Sequence, residues 1–121
     1  MNCGVEQTGD PTAWTRVCAV DAIPEAGGVA ALLPGGAQAA VFRDPSGTVY
    51  ALSNIDPFSG AAVLARGIVG DTDEVPFVAS PLHKERFDLR TGECLDDASV
   101  RVSSFDVLLD DGVVFVRELG P

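Results

Sequence analysis

The chain has 121 residues, enough for one hydrophobic core and too few for two. Hydrophobic residues make up 46% of it, which excludes a disordered polymer. Eight Lys and Arg against eighteen Asp and Glu give a net charge of −10, which excludes the basic face that a nucleic-acid binder uses to displace counterions. That charge reads as electrostatic choice of a partner or, more simply, as a solvated acidic surface. No apolar run approaches a membrane span, the start lacks a basic, apolar signal segment, and the cysteine count of three is odd. The expectation is a cytoplasmic chain in a reducing compartment.

In chain order, residues 1–12 form a polar, glycine-containing end that is expected to fray, and 13–119 a single domain. Trp14 to Val20 predicts a first strand, and Ile23-Pro24-Glu25-Ala26-Gly27-Gly28 a turn. Val29 to Leu33 and Gln38 to Arg43 predict strands around Pro34-Gly35-Gly36. Asp44-Pro45-Ser46-Gly47 is a turn, because proline presets the bend and glycine tolerates positive φ. Val49 to Leu52 returns as its partner strand. From Ser53 to Gly70 alternation disappears, and a loop with one helical turn near Ala61 to Arg66 fits. Val75 to Ala79 is a short strand. Arg86 to Arg90 alternates, with Phe87 and Leu89 inward and the charges outward. Ser104 to Leu109 and Val113 to Arg117 follow as a hairpin joined at Asp110-Asp111-Gly112. Many short strands with frequent turns predict an all-β sandwich or barrel.

The chemistry-bearing stretch is Ser80-Pro81-Leu82-His83-Lys84-Glu85-Arg86-Phe87-Asp88-Leu89-Arg90-Thr91-Gly92. It resembles the second cluster-binding segment of Rieske iron–sulfur proteins, Cys-Pro-x-His-Gly-x-x-Phe-Asp-x-x-x-Gly. Ser80 stands in the cysteine slot, Lys84 replaces the glycine, and His83 alone of the ligand pair survives. The first segment, Asp56-Pro57-Phe58-Ser59-Gly60-Ala61, keeps its frame with Asp56 in the cysteine slot and Phe58 in the histidine slot. A Rieske cluster needs two thiolates on one iron and two imidazoles on the other. A carboxylate and a hydroxyl lack soft thiolate donation, and Phe58 cannot ligate. Cys3, Cys18 and Cys94 have no paired ligand spacing, and His83 is the sole histidine. The expectation is a Rieske-like all-β fold of short antiparallel strands, with two altered cluster-binding loops and no cluster or metal.

Asn54 to Gly70, then Ala79 to Leu82, then Phe87 to Asp97, resemble the small subunit of NAD(P)H-dependent assimilatory nitrite reductase. The resemblance runs from about Trp14 to Leu119. It implies a clusterless, non-catalytic subunit whose partner is the large subunit, which carries the flavin (FAD), the iron–sulfur cluster and the sirohaem and reduces nitrite to ammonium. No catalytic, cofactor-binding or metal residues are then expected in this chain. Two alternatives stand beside it: a free-standing Rieske-like interaction domain, and a Rieske-type ferredoxin of an oxygenase, which the missing ligands nearly exclude.

The single residues carry competing readings. His83 suits a protein interface better than a two-ligand metal site with Asp56. Ser80, His83 and Asp88 invite a hydrolase triad, but close spacing on a loop and strand shows no triad geometry and no nucleophile elbow is present. Phe58 serves as an exposed anchor or folds inward to fill the space a cluster would occupy, the second slightly favoured. Asp56 caps its own loop, as Asp before Pro commonly does. Lys84, Arg86 and Arg90, with His83, form either a docking patch or an ordinary strand neutralised by Glu85, Asp88 and Glu93. Cys18 and Cys94 read as small buried hydrophobes, and Trp14 as core or anchor.

Overall fold

A computed structural model describes residues 14–82 and 84–118. The first strand and the last hairpin build one side of a sheet: β1 (Thr15–Ala19), β8 (Ser104–Asp110) and β9 (Val113–Glu118). The other side is β2 (Gly28–Leu32), β3 (Gln38–Arg43) and β4 (Val49–Ser53). All six run antiparallel in the order β1-β9-β8-β4-β3-β2. A second sheet holds β5 (Ile68–Thr72), β6 (Val75–Ala79) and β7 (Arg86–Asp88). Single 3-10 turns at Val20–Ala22 and Leu64–Arg66 are the helical elements among the described residues, so no helix there is long and apolar enough to cross a membrane.

Strand β3 explains how one short domain holds two apolar clusters. Successive strand side chains point to opposite faces, and Ala39, Ala40, Val41 and Phe42 are all buried. Ala39 and Val41 join Ile23, Leu33, Ala51, Val114 and Val116 inside the curled six-stranded sheet. Ala40 and Phe42 face the other way, onto Leu52, Leu64, Val69, Val78, Phe87, Leu89 and Val102. This second cluster seats the three-stranded sheet. Gly28 is required by it, because a Cβ there would lie 2.7 Å from the Phe42 ring. Fully burying a side chain the size of Phe42 or Phe87 stabilises the fold by about 1.5–3 kcal/mol.

Several expected elements need correction. The region from Ser53 to Gly70 is not loop throughout, since β5 begins at Ile68. Its hairpin turn is Asp73-Glu74, both residues at positive φ, a two-residue turn without the glycine that would have signalled it. The expected Asp110-Asp111-Gly112 hairpin forms around Asp111 and Gly112, also at positive φ. In β1 a register shift between Arg16 and Cys18 breaks simple alternation, so Val17 and Cys18 both pack on the barrel cluster. Strand β7 stops at Asp88, which is buried beside Phe87, and Leu89 and Arg90 lie in a turn. The expected frayed end lies outside the described residues.

Candidate functional site

Three six-residue loops share a hydrogen-bond pattern; 56–61 and 80–85 touch each other, and 88–93 follows the far end of β7, beside the start of β6. In each, the first residue donates its N–H to the sixth carbonyl, the fifth N–H returns to the first carbonyl, and the first side chain accepts the third N–H. In loop 56–61 these are Asp56 to Ala61 (2.9 Å), Gly60 to Asp56 (2.7 Å), and Phe58 N–H to Asp56 Oδ1 (2.8 Å). In loop 80–85 they are Ser80 to Glu85 (2.9 Å), Lys84 to Ser80 (2.9 Å), and Leu82 N–H to Ser80 Oγ (3.2 Å). In loop 88–93 they are Asp88 to Glu93 (2.8 Å), Gly92 to Asp88 (2.7 Å), and Arg90 N–H to Asp88 Oδ1 (2.8 Å). Short polar side chains serve the first position because they can turn back onto their own backbone. The fifth residue is left-handed each time: φ is 76° at Gly60, 65° at Lys84 and 85° at Gly92.

The first two loops are joined through the two positions where the Rieske pattern has cysteine. Ser80 Oγ donates to Asp56 Oδ2 at 2.5 Å, and the two residues are 1% and 0% exposed. Burying such groups is tolerated because each is hydrogen-bonded. Asp56 therefore has one oxygen on its own loop and the other on the next. The expected cap on its own loop is present, and the bond to Ser80 is an addition that the sequence did not announce.

This donor set does not fit a Rieske cluster. Asp56 and Ser80 present hard oxygens directed at each other, and Phe58 has no donor atom. Among the described residues no group of three or more His, Cys, Asp or Glu side chains is placed to hold a metal ion. Cys94 is buried and Cys18 half-buried, each in an apolar cluster, and burial pushes the Cys18 thiol up, away from the reactive thiolate.

Phe58 does not fold inward to fill a vacated space. The residue is 39% exposed, and its ring lies tilted against Phe87, with centroids 6.3 Å apart. Two members of the suggested triad are engaged elsewhere: the Ser80 hydroxyl by Asp56, and Asp88 by Arg90. His83 lies outside the described residues. The three cations split. Arg86 forms a two-pronged pair with Asp96, at 2.8 and 3.2 Å, and Arg90 does the same with Asp88, at 3.0 and 3.1 Å. Lys84 is exposed, and among the described residues no carboxylate lies within ion-pair distance of it. Burial alone would raise the Asp88 carboxyl; the hydrogen bonds from the Arg90 guanidinium and backbone N–H, with that cation's charge, outweigh it and bring it below its ordinary range.

Sequence reasoning gave no role to Asn54, which closes the base of the first loop. Its buried Oδ1 accepts the Ala65 N–H at 2.7 Å, and its carbonyl accepts the Leu64 N–H at 3.0 Å. An Asn immediately after a strand and before an apolar turn was the available signal.

The Rieske-like [2Fe-2S] domain family matches residues 13–117. The nitrite reductase (NADH) small subunit of Salmonella typhimurium is 45% identical over 105 residues, covering 86% of this chain and 96% of that one. The chain belongs to the nitrite reductase small-subunit family, within the Rieske-like domains. The solution structure of the E. coli protein NirD superposes with a TM-score of 0.80 at 41% identity, covering 89% of this chain and 98% of that one. The nitrite reductase [NAD(P)H] large subunit of Klebsiella oxytoca carries a related segment within its own chain. That segment is 43% identical over 103 residues, spanning 85% of this chain and 11% of the longer protein.

Proposed function

We propose that this chain is a non-catalytic, clusterless small subunit of a cytoplasmic NAD(P)H-dependent nitrite reductase. It docks on a large subunit that carries FAD, an iron–sulfur cluster and sirohaem and reduces nitrite to ammonium. The observation that carries the clusterless reading is the Asp56–Ser80 hydrogen bond. It ties together the two loops that two thiolates on one iron would otherwise join. A domain that keeps both loops in register without metal retains a surface but not a redox centre. The Klebsiella oxytoca relative supports the choice of partner, because there a domain of this kind and the large subunit are one polypeptide.

The role that follows is structural. With both loop bases closed by backbone hydrogen bonds and both first residues buried and bonded to each other, the loop bases are held in a fixed relation, and preorganised surfaces lose less on binding. The test is NADH- and NADPH-dependent nitrite reduction by the cognate large subunit with and without this chain. Turnover that rises on adding the chain supports the reading. Unchanged turnover, with no co-purification, leaves an interaction domain of another complex.

A further inference from the structure

We infer that Lys84, flanked by Leu82 and Phe58, is the charged contact through which the loop end docks on the large subunit, pairing with a carboxylate beside an apolar recess. This rests on the small-subunit reading above and names the surface and its chemistry.

Lys84 is the chain's single lysine, in a molecule of net charge −10. In the sister loops 56–61 and 88–93 the equivalent left-handed residue is glycine, which has no Cβ to strain there. Among the described residues nothing recommends a lysine at position 84. The left-handed backbone disfavours it, and no carboxylate among the described residues pairs with its ammonium. The contrast with its neighbours is chemical as well as geometric. Arg86 and Arg90 hold their charges against Asp96 and Asp88, so each is already paired within the chain. An exposed lysine without such a partner among the described residues keeps its charge for another molecule.

Its surroundings supply the rest of a contact. Leu82, two residues away, is 50% exposed, and Phe58 presents its outer part from the neighbouring loop, tied in place by Asp56 and Ser80. Aromatic and aliphatic anchors around one cation are a common interface composition, in which the apolar groups supply affinity and the charge supplies orientation. For an acidic chain, one cation at the contact end orients its approach to a carboxylate.

The test measures the dissociation constant of this chain for its cognate large subunit at low and high salt. The variants are K84N, K84E, the double variant F58A/L82A, and R16E on β1 as a control. Asn tolerates the left-handed backbone, so K84N removes the charge without a folding penalty, and matching melting temperatures certify each variant. K84E is expected to weaken binding about tenfold or more at low salt, K84N less, with both effects shrinking at high salt. F58A/L82A should weaken binding at either salt, and R16E should leave it unchanged. Binding by K84N and K84E within about twofold of the unaltered chain at low salt overturns the assignment. Loss in F58A/L82A alone overturns the charged contact and leaves an apolar one. An unaltered chain that never binds defeats the small-subunit reading itself, a result distinct from both.

Discussion

Loops 56–61 and 80–85 are built alike and finished differently. Both close through the same backbone hydrogen bonds, and both turn their first side chain back onto the third N–H. The first ends its turn on Gly60, where an added Cβ would meet nothing within 4 Å, and the second on Lys84. The first side chains differ too, one an acceptor and the other a donor, and that difference lets them bond to each other. Two similar loops of identical polarity would leave a buried group without a partner; Asp opposite Ser satisfies both. The comparison separates what the loops need in order to stand from what they present outward.

The largest expected effect tests whether the platform beneath the loops is shared. Phe42→Ala empties the cluster between the two sheets and should cost about 3–5 kcal/mol, read as a lowered urea midpoint. Next comes the tie itself. Asp56→Ala strands the Ser80 hydroxyl and the Phe58 N–H and should cost about 1–3 kcal/mol. Its signature is faster amide exchange in both loops with the barrel protected, a local opening rather than a global one. Ser80→Ala should cost somewhat less. A double-mutant cycle should return a coupling of about 0.5–3 kcal/mol between the two positions; strict additivity would mean the loops are held by backbone alone.

The third loop adds a test by pH. The Asp88 carboxyl lies below its unfolded value, so its contribution to stability is present above about pH 4 and is lost as the pH falls through its folded value. Asp88→Asn should therefore lower stability at neutral pH and flatten the acid limb of a stability–pH curve. An acid limb of unchanged steepness would remove Asp88 from the account.

The glycines sharpen the comparison most finely. Gly92→Ala would drive a Cβ into the Val102 carbonyl oxygen, whereas Gly60→Ala meets only the strain of a left-handed residue, about 1–2 kcal/mol. Gly92→Ala should be the more damaging of the two in thermal melts. Lys84→Gly should change stability by less than about 1 kcal/mol, since relief of backbone strain is offset by glycine's greater freedom when unfolded.

Much of this was legible from residues. The hairpin at Asp111-Gly112, strand β3 and strand β6 follow from short apolar runs and turn chemistry, and the Asp56 cap follows from Asp before Pro. Strand β5 was hidden because Gly70 interrupts its pattern and Asp73-Glu74 carries no turn signature. The burial of Asp88 was hidden because a charged residue in an alternating stretch reads as outward, and only the Arg90 partnership permits otherwise. The resemblance aligned Asp56 and Ser80 with lost ligands. That they bond to each other required the two loops to be brought within reach, a long-range fact that local pattern does not encode.

The central claim is that this chain supports nitrite reduction without a redox centre of its own. The direct measurement is nitrite turnover by the cognate large subunit, titrated with this chain before and after anaerobic treatment with iron and sulfide, while iron bound to the chain is quantified. The account predicts that iron-free chain raises turnover fully and that the treatment adds nothing. Turnover that scales with iron bound to this chain would contradict it.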